Sequence, residues 1–387
     1  MNIDRKQLAT SILVLVCVVT VSIVTATSFI SMWAPDVIVK GPGVTEIKRL
    51  SDYFPALKGT RGDTDVYILE GREPGGTVSV MGGTHADEAA GWIGAILLVE
   101  NAVVKKGRLI VIPQCDLSAF THSYPQEAYP QRIHFSTPSG VRSFRFGSRT
   151  ANPIDFWPDP ELYVHYSSGQ HLSGDEVRNL NRAYPGRPDG SFTERIAYAM
   201  RQVILTENVA LNVDLHEAPP EYPFINALGA GERGRDIATI AAMNLQAQGI
   251  PIGIELSPPR FHGLTYRELG DFTPTISLLM ETANPSQGRL RGITDEELVL
   301  KGQDAFYVQA AKLKRTFVPF DQKGWPIEVR VGRHLSALRE IWAVFSEDFP
   351  EKGVIIEAFP TLTELKDKGI GAFLNPVMSG SGQTARP

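Results

Sequence analysis

The feature that most constrains this chain is an uncharged run close to its N-terminus. No Asp, Glu, Lys or Arg occurs from position 7 to position 35, a stretch of 29 residues, and its centre, Ser11 to Val24, is mostly Val, Ile and Leu. About 20 apolar residues in a helix are enough to cross the hydrocarbon core of a bilayer. The run therefore predicts a membrane-spanning helix, and residues 1–36 form a segment distinct from the folded body.

The charges that flank this run predict its orientation. Arg5 and Lys6 precede it, and positive residues favour the cytoplasmic side of a membrane. Two alternatives stay open: a cleaved signal peptide, with a small-residue cleavage site near Ala26, and an apolar helix buried in a soluble protein. The anchor and the signal peptide both place the body outside the cytoplasm, in a periplasmic or extracellular location, and cleavage would make the protein secreted.

The composition of the whole chain is that of a globular protein. Of 387 residues, 43% are hydrophobic and 21% are charged, which excludes collagen-like, coiled-coil and wholly disordered chains. Two cysteines are too few for a disulfide scaffold. A net charge of −5 and a pI of about 6.0 give no electrostatic reason to expect a nucleic-acid partner.

Beyond a connector near residues 35–43, short apolar runs alternate with amphipathic stretches. The runs predicted as buried strands are Thr77–Met81, Leu109–Ile112, Leu211–Leu215, Ile252–Leu256 and Ile276–Met280. The predicted helices are Ala89–Lys105, Thr193–Asn208, Glu232–Gln248 and Asp295–Arg315, the last opened by a capping box of Thr294 and Glu297. This alternation predicts an α/β three-layer sandwich with a mixed, mostly parallel sheet over residues 37–320.

Two regions interrupt the alternation. Residues 117–176 are rich in Pro, Ser, Tyr, His and Arg and show no period; a loop of this length in a compact domain is usually functional or poorly ordered. Residues 321–387 form a predicted C-terminal extension. It contains one helical stretch, Ala337 to Phe345, one apolar segment, Val354 to Phe359, and a disordered end from Gly380.

Three of the predicted strands end in residues that can bind a metal or move a proton. The first runs through Gly82 and Gly83 to His85, and Glu88 follows three residues later; the second ends at His216. Two histidines and one glutamate form a zinc ligand set that leaves a fourth position for water, as catalytic sites do. Taken singly, each of these residues is as well explained as an ordinary loop or helix-terminal residue.

Glu281 and an arginine-rich turn complete the set of candidate residues. Glu281 ends the strand Ile276–Met280, where a buried carboxylate is costly unless it has a partner or a role, such as general base. Arg178, Asn181 and Arg182 lie within five residues of one another, and a guanidinium binds a carboxylate through two hydrogen bonds. An ion pair of Glu281 with an arginine and a solvated basic turn are the alternatives.

In this order, the motifs resemble those of the succinylglutamate desuccinylase/aspartoacylase family, a branch of the zinc carboxypeptidase-like superfamily. The similarity covers roughly residues 75–315. It implies a zinc carboxypeptidase-like fold and one Zn²⁺ per chain. The residues to which it gives roles are His85, Glu88 and His216 as zinc ligands, Glu281 as general base, and Arg178, Asn181, Arg182 and Arg267 as substrate-binding residues.

The sequence departs from the family pattern at several points. Asn179 stands where the family has an Asp, and Ala86-Asp87 replaces Gly-Asn in the first motif. The family also uses an arginine to polarise the scissile carbonyl. The candidates for that role are Arg142, Arg145, Arg149 and Arg178, and the spacing does not choose among them.

The resemblance implies a zinc-dependent hydrolase that cleaves the amide bond of an N-acyl amino acid. Its expected partners are a small N-acyl amino acid or a short peptide, and a membrane contacted through the N-terminal helix. An exported zinc carboxypeptidase or cell-wall peptide amidase is the nearest alternative. A non-catalytic, membrane-tethered binding protein on the same fold is the alternative from another class.

Overall fold

A computed structural model describes residues 4–123, 130–257 and 260–377. Its centre is a mixed sheet with the strand order β1-β2-β4-β3-β9-β12-β10-β11, and β13 pairs with β4. The strands are β1 (Val44–Arg49), β2 (Asp65–Glu70), β3 (Glu73–Gly82), β4 (Val103–Ile112), β5 (Arg132–Thr137), β6 (Gly140–Arg145), β7 (Leu162–Val164), β8 (His171–Ser173), β9 (Val209–Ala218), β10 (Ala227–Ala230), β11 (Gly253–Leu256), β12 (Ile276–Ala283) and β13 (Ile355–Glu357). The four neighbours β4, β3, β9 and β12 run parallel.

Helices cover both faces of this sheet. They are α1 (Arg5–Ser31), α2 (Ala89–Asn101), α3 (Phe192–Thr206), α4 (Arg235–Ala247), α5 (Thr265–Phe272), α6 (Glu296–Lys301), α7 (Ala305–Lys312), α8 (Ile327–Asp348) and α9 (Leu362–Lys368). On β4, Leu109 and Val111 join the core beneath α2, α4 and α8, whereas Ile110 and Ile112 join the core beneath α3. Successive residues of a strand face opposite sides of the sheet. The alternate residues of β4 therefore pack into two different cores, and both faces of the sheet are buried. The predicted three-layer sandwich is confirmed.

Several helix boundaries differ from those predicted, and two of the differences have a clear cause in the sequence. The helix predicted over Ala89–Lys105 is α2, which ends at Asn101, and the β-branched Val103 and Val104 begin β4 instead of extending the helix. The stretch 295–315 divides into α6 and α7, because Gly302 adopts a left-handed φ of 62° and ends α6. Asp295, rather than Thr294, caps α6: its side chain accepts a hydrogen bond from the Leu298 amide.

The segment 117–176 is largely ordered in the part that the structure describes. It contributes two hairpins, β5–β6 and β7–β8. Buried ion pairs tie it to the rest of the body, since Arg142 lies 2.9 Å from Glu100 and Arg145 lies 3.0 Å from Asp36. These pairs explain how a stretch without apolar periodicity folds against the sheet.

Residues beyond 320 pack into the same core as the central sheet. Helix α8 contacts α2, α4 and the strands β9 and β12, and its Val331, Leu335 and Leu338 are fully buried. Strand β13 extends the sheet at β4. Residues before and after the predicted domain boundary at 320/321 therefore belong to the same hydrophobic core. The predicted disordered end from Gly380 lies outside the described residues.

The N-terminal helix α1 does not belong to that core. None of its residues is buried, and its mean hydropathy reaches 2.6 over an 18-residue window. Among the described residues, α1 is the helix long and apolar enough to cross a membrane. The alternative of an apolar helix buried within a soluble protein is therefore wrong, while the membrane anchor and the signal sequence are both compatible with it.

Candidate metal centre

The parallel strands of the sheet bring the predicted ligands to one edge. Strand β3 ends at Gly82, and the chain turns at Gly83, which has a left-handed φ of +66°. A Cβ at this position would lie 2.9 Å from the Phe120 ring, so the turn favours glycine on both counts. His85 follows this turn, and Glu88 is the N-cap residue of α2. On the adjacent strand, His216 lies near the carboxyl end of β9. Ligands collect at this edge in open α/β sheets.

His85, Glu88 and His216 form a buried cluster in which one possible ligand atom from each lies within 4.8 Å of the other two. Nδ1 of His85 is 2.6 Å from Oε1 of Glu88, and Nδ1 of His216 is 2.8 Å from Oε2. Zinc bonds of about 2.0–2.2 Å place tetrahedral donors roughly 3.3 Å apart. Both Nδ1 atoms lie within that spacing of the Glu88 carboxylate, and the donor set of two nitrogens and one oxygen suits zinc.

The outer nitrogen of each imidazole has its own acceptor. Nε2 of His85 lies 3.0 Å from Oδ1 of Asn179, and Nε2 of His216 lies 2.8 Å from Oδ2 of Asp214. The Asn179 amide is oriented by its other contacts: Nδ2 donates to Glu176, so Oδ1 is the atom that faces the ring. With Nε2 as the donor, the neutral form of each imidazole, which is the form that binds a metal, directs the lone pair of Nδ1 towards the Glu88 carboxylate.

The electrostatics of the cluster fit this interpretation. Burial, with Arg149 nearby, lowers the pKa of His85 to about 4, which keeps its imidazole neutral and able to coordinate. Burial opposes charge on His216 as well, but Asp214 and Glu88 outweigh it and raise its pKa well above the usual value. The carboxylates of Asp214 and Glu88 both face the His216 imidazole and therefore favour positive charge next to it. A bound divalent cation would supply that charge.

Glu88 is held in place by three groups outside the ligand set. The Glu217 amide donates to its Oε2 at 3.0 Å, Gln287 Nε2 donates to its Oε1 at 3.0 Å, and Arg149 approaches to 3.4 Å. Burial raises the pKa of Glu88, but His85 and His216 outweigh that effect and hold it well below the usual value. The carboxylate is therefore ionised and fixed in orientation.

Glu281 lies directly beside the cluster. In the parallel pairing of β12 with β9, Glu281 is the register partner of His216. Its Oε2 is buried and accepts no hydrogen bond from the residues that the structure describes. Burial, followed by the nearby charge of Glu88, raises the pKa of Glu281 well above its usual value. A carboxyl group with this proton affinity can accept and return a proton.

One arginine of the long loop reaches the cluster. Arg142, Arg145 and Arg178 are paired with Glu100, Asp36 and Asp159 at 2.9, 3.0 and 2.8 Å. Arg149 instead directs Nη1 to within 3.4 Å of both His85 Nδ1 and Glu88 Oε1, and its side chain is 37% exposed. Of these four arginines, Arg149 is thus the one that lies between the cluster and solvent.

Asn181 and Arg182, two of the residues expected to bind substrate, have different contacts. Oδ1 of Asn181 accepts hydrogen bonds from the Thr265 amide and hydroxyl at 2.9 and 3.0 Å, which ties the turn to the start of α5. Arg182 stacks 4.7 Å from the Phe261 ring centroid. Burial and the neighbouring Arg149 lower the pKa of Arg182 to about 10.

Arg178 and Arg267 have ion-pair partners of their own. Arg178 forms a two-pronged pair with Asp159 and also donates to the Ala151 carbonyl, so it organises the loop. Arg267 lies on α5, with Nε 3.6 Å from Asp271 and 4.0 Å from Glu268. The structure brings His85, Glu88, His216 and Glu281 together, with Arg149 and the Arg182 turn adjoining them.

Comparison with known proteins gives structural similarities alone. No family model and no curated protein matches the chain. A succinylglutamate desuccinylase from Silicibacter sp. TM1040 aligns at 17% identity and a TM-score of 0.40, covering 77% of this chain and 64% of that one. A metallo-carboxypeptidase from Burkholderia cenocepacia aligns at 12% identity and 0.44, covering 79% and 66%.

A third similar structure is the tripeptide-bound cell shape determinant Csd4 from Helicobacter pylori. It aligns at 10% identity and a TM-score of 0.44, covering 79% of this chain and 60% of that one. The chain thus spans less than two thirds of the length of these proteins. One of the three, the succinylglutamate desuccinylase, carries the name of the family that the motifs resemble. With fewer than one residue in five shared, the function is inferred from the geometry of this chain's own site.

Proposed function

We propose that this protein is a zinc-dependent hydrolase that cleaves the amide bond of an N-acyl amino acid. The observation that carries the proposal is a buried His85–Glu88–His216 cluster flanked by Glu281, whose buried Oε2 has no hydrogen-bond partner in the described part of the chain. A structural zinc site has four protein ligands, whereas three ligands leave one position open for chemistry. Glu281 makes a purely structural metal site a poor explanation, because burying its carboxyl group without a partner is costly.

In this proposal His85, Glu88 and His216 hold the zinc ion. When bound there, zinc supplies Lewis-acid activation of the carbonyl group and of the attacking water. Asn179 and Asp214 keep the two imidazoles in the orientation that directs Nδ1 inward. The rest of the reaction depends on groups of the chain itself.

Glu281 moves the proton. Its Oε2 accepts a proton from the attacking water and then returns it to the nitrogen of the departing amine. The raised pKa of Glu281 suits this double role, because the group must hold a proton between the two steps. Its place beside His216, fixed by the β9–β12 pairing, keeps it next to the reacting atoms.

Two arginines provide positive charge for the substrate. Arg149, at 3.4 Å from the ligand pair, is placed to stabilise the negative oxygen that develops during attack on the carbonyl. Arg182, held against Phe261, is placed to bind the substrate carboxylate and so orient the amide. Together, the two arginines suit a substrate that carries a carboxylate close to its scissile amide bond.

We assign α1 the role of an anchor. Its uncharged span, the absence of any buried residue in it, and the Arg5-Lys6 pair at its start support a membrane helix with the body on the far side from the cytoplasm. The reaction would then take place outside the cytoplasm.

The test is hydrolysis by the full-length chain in detergent with added zinc, against N-acyl amino acids and short peptides with a free carboxylate. Glu281→Gln keeps the shape of the side chain but cannot accept the proton, so turnover should fall by about 10²–10⁴-fold with zinc content unchanged. Glu347→Gln, an exposed position on α8, is the matched control. Full activity of Glu281→Gln on every substrate of the wild type would refute the proposed base, and turnover of peptides alone would favour a carboxypeptidase.

A further inference from the structure

The joint between α1 and the body is rigid rather than a flexible tether. Met32, directly after the helix, is fully buried. The Asp36 side chain is also fully buried, and its carboxylate accepts hydrogen bonds from Arg132 at 3.1 Å, from Arg145 at 3.0 Å and from Gln114 at 2.7 Å. A short segment held in this way fixes the orientation of the body relative to the helix axis.

The body also reaches alongside the last turn of α1. The Ser28 hydroxyl donates to the Gln131 side chain, and Arg132 donates to the Ser31 carbonyl at 3.2 Å. Residues 28 to 31 span about 4.5 Å of helix axis. The face of the body around Gln131 is therefore level with the end of the helix instead of standing away from it.

Beside this joint lie three large, exposed apolar side chains. Trp157 is 72% exposed, Ile154 is 65% exposed and Trp33 is 51% exposed. An Arg61–Asp155 ion pair of 3.2 Å connects them: the Arg61 guanidinium lies 5.4 Å from the Trp33 ring centroid, and Asp155 follows Ile154 in the chain. We call these three side chains the aromatic rim.

The aromatic rim has the chemistry of a lipid-contacting surface. Tryptophan is enriched where a protein crosses from hydrocarbon to water, and exposed apolar patches on a folded body mark interaction sites. The apolar run Leu8–Ile30 covers 23 residues, about 35 Å of helix, so its end reaches the outer interface of a bilayer. Trp33 follows three residues later. We propose that the aromatic rim docks into the interface of the same membrane that α1 spans; this rests on the anchor assigned above.

Docking of the rim would hold the metal centre close to the membrane surface. Asp36 accepts a hydrogen bond from the Arg145 amide at 2.9 Å, and Arg149 is four residues further along the chain. Four residues reach at most about 14 Å, so Arg149 and the cluster it contacts lie within about 20 Å of the joint. A substrate attached to the bilayer would thus meet the site without leaving the membrane surface.

The experiment uses the full-length chain reconstituted into phosphatidylcholine vesicles whose acyl chains carry bromine, which quenches tryptophan on contact. The chain has five tryptophans. Trp157→Phe should reduce the quenched part of the emission about twofold, because Trp33 and Trp157 are the two that face lipid in this arrangement. Trp342→Phe is the control, since Trp342 is buried in α8, and it should leave the quenched part unchanged.

Two results would overturn the docking proposal, and they differ in what else they affect. If Trp157→Phe leaves the quenched emission unchanged while alkaline carbonate fails to extract the chain from the vesicles, the anchor stands and the rim does not touch lipid. If carbonate extracts the wild-type chain, both the anchor and the docking are wrong. Neither measurement involves hydrolysis, so the proposed enzymatic activity is tested separately.

Discussion

The contact between Asn179 and His85 gives the sharpest quantitative prediction. Asn179→Ala removes the acceptor that lies 3.0 Å from Nε2 of His85, and the imidazole then loses its preferred orientation. Removing such an outer partner typically weakens metal binding by about 10–100-fold. We therefore expect the zinc affinity to fall by that factor, or about 1.4–2.7 kcal/mol.

The chain offers an informative counterpart to this variant. Asn179→Asp would place a charged acceptor against His85, but its other oxygen would face Glu176, whose Oε2 now accepts from Asn179 Nδ2 at 2.7 Å. Combining it with Glu176→Gln restores a donor and acceptor at that contact. The double variant should bind zinc at least as tightly as the wild type, because a carboxylate makes the imidazole a stronger ligand.

The assay is competition for zinc with a chromophoric chelator at fixed pH, using full-length protein in detergent. Because Asn179 Oδ1 also accepts from the Asn181 amide at 3.0 Å, the thermal midpoint without zinc should be measured for each variant as a folding control. Affinity of Asn179→Ala within twofold of the wild type, with an unchanged midpoint, would show that Asn179 does not orient the His85 ring for metal binding.

Further predictions concern charge in and around the site. Arg149→Met should lower kcat by about 10²–10³-fold, as loss of an oxyanion partner does, with zinc content preserved. Arg330→Met should cost about 3–5 kcal/mol in chemical denaturation, because Glu217, its fully buried partner at 2.7 Å, keeps an unpaired charge; adding Glu217→Gln should recover much of it. Contacts with Lys48, Tyr53 and Arg108 outweigh burial and lower the pKa of Glu207 to about 2. This group therefore stabilises the fold above pH ~4.5, and the stabilisation is lost as pH falls towards 2; Glu207→Gln should flatten that acid limb.

Much of the fold could be predicted because the sheet is buried on both faces. The central strands β9 and β12 are rich in Val, Leu, Ile and Met, although β9 also contains Asn212 and Asp214, and His216 and Glu281 lie near their carboxyl ends. Edge strands carry a weaker pattern. Only one of the six residues of β1 is buried, so β1 lacks the apolar pattern of a buried strand. The predicted helix Ala89–Lys105 takes in the first three residues of β4, whereas the predicted strand Leu109–Ile112 does lie in β4.

The side chains around the metal centre were less accessible to sequence reasoning. Four candidate arginines precede the Asn-Arg turn, and Arg149 is distinguished from the other three by their ion-pair partners Glu100, Asp36 and Asp159. These partners are distant in the sequence, so local patterns do not reveal them. Gln287, which donates to Glu88 at 3.0 Å, belongs to no motif. Its contact follows from the position of the segment after β12, a tertiary feature that local patterns do not contain.

Metal analysis of the purified full-length chain tests the central claim most directly. Elemental analysis after zinc loading and desalting should give about one zinc per chain, as a three-ligand catalytic site implies. His85→Ala and His216→Ala should each lose that zinc, whereas Glu281→Gln should retain it. A wild-type chain without zinc, or histidine variants with an unchanged zinc content, would contradict the account.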